Sequence, residues 1–193
     1  MTRHKRSEET IGRLFGTALE VYPADFTLRA VTTRSGVSVG SLYHHFGSLE
    51  GLAAALYSRC MADLLDALLS AVESASSAHD GVRQAVLAYL GFTADHPDEA
   101  RFVHAAPYAI DLGPYAEQIA ADKAPRLARL VAWLRPHVAA GTVADLPMAQ
   151  VEMLLIGPVA EVTRRWLAGA AEIDLAEAAR VLPDRIWRSL SVR

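Results

Sequence analysis

Residues 39–46 place small side chains beside hydrogen-bonding aromatic ones on a segment of helical length. If the segment is a helix, Leu42 and Phe46 share its buried face and the other side chains point outward. The outward set is Val39, Gly40, Ser41, Tyr43, His44 and His45. Small side chains let a helix backbone approach the edges of bases, and tyrosine and histidine can donate hydrogen bonds to phosphate oxygens. This face therefore favours contact with DNA.

The preceding segment has a matching length. Residues 28–35 form another predicted helix of about two turns, separated from the first by Gly36-Val37-Ser38. Gly36 can adopt the left-handed conformation that ends a helix, Val37 can fill the angle between helices, and Ser38 can cap the next one. Two short helices joined by a three-residue turn are typical of a helix-turn-helix.

Other interpretations of these residues remain open. A short helix pair with glycine between its members also occurs in helical proteins that do not bind DNA, so an adaptor or scaffold is an alternative. His44 and His45 could be metal ligands, but adjacent residues point about 100° apart on a helix and cannot readily hold one ion. We therefore expect no metal site. The basic segment 3–6 is either a DNA-binding arm or a solvated tail.

Hydrophobic periodicity predicts that helices position this motif and fill the remaining chain. The predicted helices are 7–22, 28–35, 39–46, 49–72, 81–95, 97–110, 114–140, 147–167 and 175–191. Pro125 and Pro136 should bend or split the seventh of them. About nine helices with short connections leave no room for a sheet, so we expect an all-α fold. A DNA-binding domain should occupy residues 1–48 and a helical ligand-binding and dimerisation domain residues 49–193.

Composition restricts the function further. The net charge is −3, but residues 1–50 hold six Lys or Arg and five Asp or Glu, so DNA contact should belong to this end. Cys60 is the only cysteine among 193 residues, which excludes an intrachain disulfide and favours a cytoplasmic location. The chain contains no run of about 18 apolar residues, so we expect no membrane span. The first residues do not resemble a signal peptide.

The middle of the chain mixes apolar residues with isolated polar ones, a composition suited to a largely apolar ligand cavity. The candidate ligand-binding residues are Met61, Tyr89, Phe92, His104, Tyr108, Trp133 and Met153. Each could instead be ordinary core. We find no glycine-rich phosphate loop, no metal-spaced histidines and no nucleophile-base pair. We therefore expect neither a cofactor nor enzymatic activity.

The last two predicted helices are apolar on more than one side, which requires burial against a second surface as well as their own core. We expect a homodimer. The predicted interface residues are Val151, Leu155, Val159, Val162, Trp166, Leu182 and Ile186. A monomer in which both helices are wholly interior is the alternative.

Over about residues 11–56, and most specifically over residues 36–46, the chain resembles the tetracycline-repressor (TetR) family of regulators. The resemblance implies a DNA-binding head, a dimer made by the last two long helices and an inducer pocket among the middle helices. It places the small residues 39–41 near bases and Tyr43 and His45 on phosphates. Thr27 and Ser38 would bind phosphate at helix N-termini. The expected function is a ligand-responsive repressor of a palindromic operator in double-stranded DNA, released by a small, largely apolar effector.

Two positions depart from the family pattern. Tyr22-Pro23 stands where a glycine usually ends the first helix, and Leu49 stands where a lysine usually begins the fourth. The missing lysine removes a phosphate contact, so affinity should depend more on other basic residues. These are Arg3, Lys5, Arg6, Arg29 and Arg34.

Overall fold

Apolar residues at helical spacing fold this chain into helices that share one core. The computed structural model describes residues 2–192, and side chains from residue 5 onward. Its helices are α1 (Thr2–Val21), α2 (Leu28–Ser35), α3 (Val39–Phe46), α4 (Leu49–Glu73), α5 (Ala78–Asp95), α6 (Pro97–Ala109), α7 (Ala116–Ala139), α8 (Met148–Leu155), α9 (Gly157–Leu167) and α10 (Leu175–Leu190), with a 3-10 helix at Gly113–Tyr115. Within residues 2–192 the only β-type pairing is one isolated bridge between Val143 and Ser191. The all-α prediction is confirmed.

Local sequence explains where the helices differ from the predicted ones. α5 begins three residues earlier than expected because the Ser77 side chain accepts a hydrogen bond from the Asp80 amide at 3.1 Å and caps the helix. The expected helix over 147–167 is two helices, and Pro158 lies in the first turn of the second. α7 continues through Pro125 and Pro136, so these prolines do not split it.

The long helix α4 forms the centre of the molecule. It packs against α1 and α3 of the N-terminal part and against α5, α6 and α7. Leu14 and Leu42 of the N-terminal helices and Leu52 and Leu56 of α4 are almost completely buried in the same apolar cluster. The core is thus continuous across residue 48, and the domain boundary there stays a prediction. None of the described helices is long and apolar enough to cross a membrane.

Candidate nucleic-acid interface and ligand cavity

The turn between α2 and α3 has the geometry of a helix-turn-helix. Gly36 ends α2 in the left-handed conformation, with φ 64° and ψ 22°. Val37 is buried at 5% exposure between the two helices. Ser38 accepts a hydrogen bond from the Ser41 amide at 3.1 Å and so caps α3. Thr27 caps α2 in the same way, through the Ala30 amide at 3.1 Å.

The outer face of α3 is free of contacts with the protein's own core. Leu42 is fully buried, and Phe46 packs on Phe15 of α1 with ring centroids 5.7 Å apart. Val39 and Tyr43 remain 44% and 49% exposed, large fractions for side chains of this size. Gly40 and His44 are also exposed, and Ser41 and His45 are half-buried. α3 can therefore present this face to another macromolecule.

Exposed basic side chains lie on the two helices that precede α3. Arg29 is exposed on α2, as are Lys5 and Arg6 on α1. Arg34 pairs with Asp25 at 3.4 Å, but both side chains are more than half exposed. A surface pair of this kind contributes little, so Arg34 could exchange Asp25 for phosphate. The side chain of Arg3 lies outside the described residues.

A cavity of about 370 Å³ lies between α4, α5, α7, α8 and the end of α10. Most of its lining is leucine, valine and other apolar side chains. Of the predicted ligand-binding residues, Met61, Tyr89 and Trp133 line it. A volume of this size with few polar groups is typical of a site for a small organic molecule.

The other predicted ligand-binding residues lie outside this lining. Phe92 stacks on His96 with centroids 5.0 Å apart. Tyr108 and Met153 are 88% and 63% exposed on the surface. His104 of α6 lies behind the cavity wall, where its Nε2 is 3.1 Å from the Tyr89 hydroxyl. Ligand contact by these residues stays a prediction.

Burial controls the protonation of the groups at and behind the cavity wall. Burial raises the pKa of Tyr89, with a smaller increase from Tyr57. Burial and the charge of Arg164 lower the pKa of His104. Near neutral pH the phenol is therefore protonated and the imidazole neutral. Cys60 of α4 is 2% exposed, and burial raises the pKa of its thiol to about 12, so it carries no reactive thiolate.

Sequence reasoning did not identify three polar lining residues, Tyr57, Lys123 and Glu152. Tyr57 lies four residues before Met61 on α4, and this spacing places both side chains on one helix face. That spacing was a usable signal. Lys123 and Glu152 gave none, since isolated charged residues on amphipathic helices are usually solvated.

Two contacts join the later helices to the N-terminal helices. The Tyr115 hydroxyl, directly before α7, lies 3.1 Å from Oγ of Ser48. Ser48 itself caps α4 by accepting from the Gly51 amide at 2.9 Å. In the second contact, the ring of Phe102 of α6 packs edge-on against the ring of Tyr22, which directly follows α1, with centroids 4.8 Å apart.

The predicted dimer-interface residues fall into two groups. Val151, Val159 and Ile186 are buried at 5%, 1% and 3% exposure in the chain's own core. The remaining four, Leu155, Val162, Trp166 and Leu182, are half-buried. Leu155 also lines the cavity. A dimer interface on these helices would use the half-buried residues and exposed neighbours such as Val181, which is 42% exposed. The dimer stays a prediction.

Comparison with known proteins gives matches of two kinds. The sequence model of the family described as "Bacterial regulatory proteins, tetR family" matches residues 23–56, which include α2, α3 and the start of α4. No curated protein sequence matches the chain significantly.

Solved structures match over nearly the whole length. A TetR-family transcriptional regulator from Pectobacterium atrosepticum is 26% identical, with a TM-score of 0.71 over 100% of this chain and 99% of that one. A TetR family transcription regulator from Marinobacter aquaeolei is 17% identical, with a TM-score of 0.75 over 100% of both chains. The regulator FadR from Bacillus subtilis, solved in complex with stearoyl-CoA, is 14% identical, with a TM-score of 0.72 over 93% of this chain and 96% of that one.

The exposed α3, its glycine turn and these matches agree. Residues 23–56 match the sequence model of the tetR family of bacterial regulatory proteins, and the chain as a whole has the fold of the solved TetR-family transcription regulators.

Proposed function

We propose that the chain is a ligand-responsive transcriptional repressor that binds a palindromic operator as a homodimer and is released by a small molecule. The observation that carries the proposal is the path of the chain from α3 into α4. Only Gly47 and Ser48 separate the exposed recognition helix from α4, and α4 then forms one wall of the cavity through Met61, Leu64 and Leu68. A tilt of one rigid helix would therefore reach both sites.

In this proposal residues 1–48 bind DNA and residues 49–193 bind the effector and the second subunit. Contacts divide by type: the small residues of α3 read bases, while tyrosine and histidine hold phosphates. The proposed DNA-binding residues are Thr27, Arg29, Arg34, Ser38, Val39, Gly40, Ser41, Tyr43, His44 and His45. Symmetry then requires two half-sites about one turn of DNA apart, or somewhat more. Such a protein acts in the cytoplasm and needs no catalytic chemistry.

Release requires that the effector bind the DNA-free arrangement more tightly than the DNA-bound one. The coupling is reciprocal, so an effector that weakens DNA binding about a hundredfold loses the same factor in affinity on the operator complex, about 2.7 kcal/mol. The Tyr115–Ser48 contact and the Phe102–Tyr22 contact are the places where movement around the cavity would reach the head.

Footprinting on the DNA that flanks the protein's own gene tests the proposal. We expect a protected palindrome and a gel shift that random DNA does not compete away. A helical adaptor that has lost DNA binding would give no sequence-dependent shift, and protection of a single asymmetric half-site would contradict the symmetric dimer.

Two variants with the same fold test the division of contacts. Tyr43→Phe removes one phosphate hydrogen bond and should weaken binding to specific and scrambled duplexes by a similar factor, about tenfold or less. Ser41→Ala should weaken binding to the specific duplex more than to the scrambled one. Equal losses on both duplexes for Ser41→Ala would show that this residue reads no base.

A further inference from the structure

Two polar groups on the cavity wall have no partner in the described part of the chain. Lys123 of α7 and Tyr57 of α4 both line the cavity, yet the lysine ammonium forms no ion pair and the tyrosine hydroxyl forms no hydrogen bond among residues 5–192. Every arginine–carboxylate pair that joins α4 to α7 lies elsewhere on these helices. A half-buried cation and a free donor facing an apolar space have lost part of their hydration without compensation.

The register of α4 against α7 shows where Lys123 lies. The two helices run in the same direction, because Tyr115 contacts Ser48 near the head and Arg126 pairs with Asp66 farther along, at 2.8 Å. Lys123 comes one turn before Arg126. It is therefore level with the middle of α4, on the side nearer the DNA-binding helices.

Two phenols lie close together on the cavity wall. Tyr57 and Tyr89 are close enough that a charge on Tyr57 raises the pKa of Tyr89. Trp133 follows Lys123 by ten residues, about 15 Å farther along α7, and its ring packs against Gly81 at the start of α5. The cavity wall thus carries two neighbouring phenols from α4 and α5, and on α7 a cation that is separated from an indole ring by about three helical turns.

Size and charge restrict what fits. At the packing density of protein interiors, a volume of about 370 Å³ holds roughly 15 non-hydrogen atoms, far fewer than an acyl-CoA contains. Glu152, the other charged residue of the lining, is exposed at the rim on α8. An anionic group is therefore favoured beside Lys123 and disfavoured beside Glu152.

We propose that the effector is a small amphiphile with one carboxylate and an apolar body of about ten carbons. The carboxylate pairs with the Lys123 ammonium and accepts from the Tyr57 hydroxyl, while the body extends toward Trp133 among leucine and valine side chains. The inference rests on the ligand-responsive regulator proposed above, because it names the chemistry of that regulator's effector.

Three ten-carbon probes separate head-group chemistry from chain burial: decanoate, decan-1-ol and decylammonium. Binding to the full-length protein is measured by titration calorimetry, with the fluorescence of Trp133 as a second signal that Trp133→Phe should remove. Decanoate should bind about tenfold or more tightly than decanol, and decylammonium most weakly.

Variants at the chain's two lysines show which of them produces the preference for decanoate over decanol. Lys123→Met should make decanoate and decanol equal, whereas Lys123→Arg should keep most of the preference and Lys5→Met, the same change on α1, all of it. If Lys123→Met does not fold, Lys123→Gln makes the same comparison.

Equal binding of decanoate and decanol, tightest binding of decylammonium, or no binding of any probe would each overturn the inference. So would a preference that survives Lys123→Met. These binding measurements are made without DNA, and operator binding is measured separately. If the unmodified protein binds its operator but shows no preference for decanoate over decanol, the carboxylate effector alone is refuted. If it prefers decanoate but binds no operator, the proposed regulator is refuted instead.

Discussion

Single residues decide how the cavity is closed, and Gly81 is the clearest case. A Cβ at Gly81 would overlap the six-membered ring of Trp133, whereas a Cβ at Gly91 on the same helix would meet nothing within 4 Å. The indole packed on position 81 therefore leaves no room for a side chain larger than that of glycine. Gly91 has no such neighbour.

The matched pair Gly81→Ala and Gly91→Ala tests this packing. Gly81→Ala should force the Trp133 ring to move and cost about 1–3 kcal/mol of unfolding free energy, the usual effect of overpacking. Gly91→Ala should stabilise the protein by about 0.5–1 kcal/mol, because alanine has the higher helix propensity. Denaturant unfolding measures both. Equal effects of the two substitutions would show that the indole does not restrict position 81.

At this scale the sequence predicted the outward face of α3 well, because a helix of two turns leaves little choice of which side faces the core. Leu42 is buried and Tyr43 exposed, as the pattern required. The cavity was harder to predict, since its lining combines residues from five helices. Lys123 and Leu190 both line it although 67 positions separate them in the sequence. No local sequence pattern predicts that two such distant residues line one cavity.

At the scale of helices, the junction between α3 and α4 is held by a side chain from a distant part of the chain. Gly51 in the first turn of α4 has no room for a Cβ, because the Phe46 carbonyl oxygen and the Tyr115 hydroxyl approach it closely. Ser48 both caps α4 and contacts Tyr115. The start of α4 is therefore positioned by the segment that leads into α7.

Tyr115→Phe tests whether this contact connects the cavity helices to the head. The change removes one half-buried hydrogen bond and should cost about 0.5–1.5 kcal/mol of unfolding free energy. Hydrogen exchange of the first amides of α4 should become faster, while exchange in the middle of α5 should not change. A variant with unchanged exchange at the start of α4 would show that Ser48 caps this helix without help from Tyr115.

The helix boundaries show which sequence signals are strong. α2 and α3 match the predicted ranges residue for residue, since Thr27, Gly36 and Ser38 supply a cap or a stop at each junction. The Gly157-Pro158 pair was an equally clear stop signal, but the apolar periodicity on both sides of it predicted one continuous helix. Pro125 was predicted to bend or split its helix, and α7 continues through it without a split.

At the scale of the whole molecule, the proposed palindromic operator requires two copies of the chain. The side of α9 and α10 that faces the protomer core is already filled, with Val159 and Ile186 at 1% and 3% exposure. A stable interface buries about 800 Å² per partner or more, so it must use the outward side of these helices. Val181 is the large apolar residue most exposed on α10, at 42%.

Val181→Glu should therefore separate the dimer without disturbing the protomer. A carboxylate at this position would be buried without a partner in the dimer but solvated in the monomer. The separated monomers therefore have the lower free energy. Ala128→Glu is the control, because Ala128 is also exposed but lies on α7, outside the predicted interface. Sedimentation equilibrium at micromolar concentration should give a monomer for Val181→Glu and a dimer for Ala128→Glu. Far-UV circular dichroism should show unchanged helix content for both.

A monomer would then bind the operator one half-site at a time, with a large loss of apparent affinity. A Val181→Glu protein that remains dimeric, or an unmodified protein that sediments as a monomer, would show that this outward face of α10 does not join the two recognition helices.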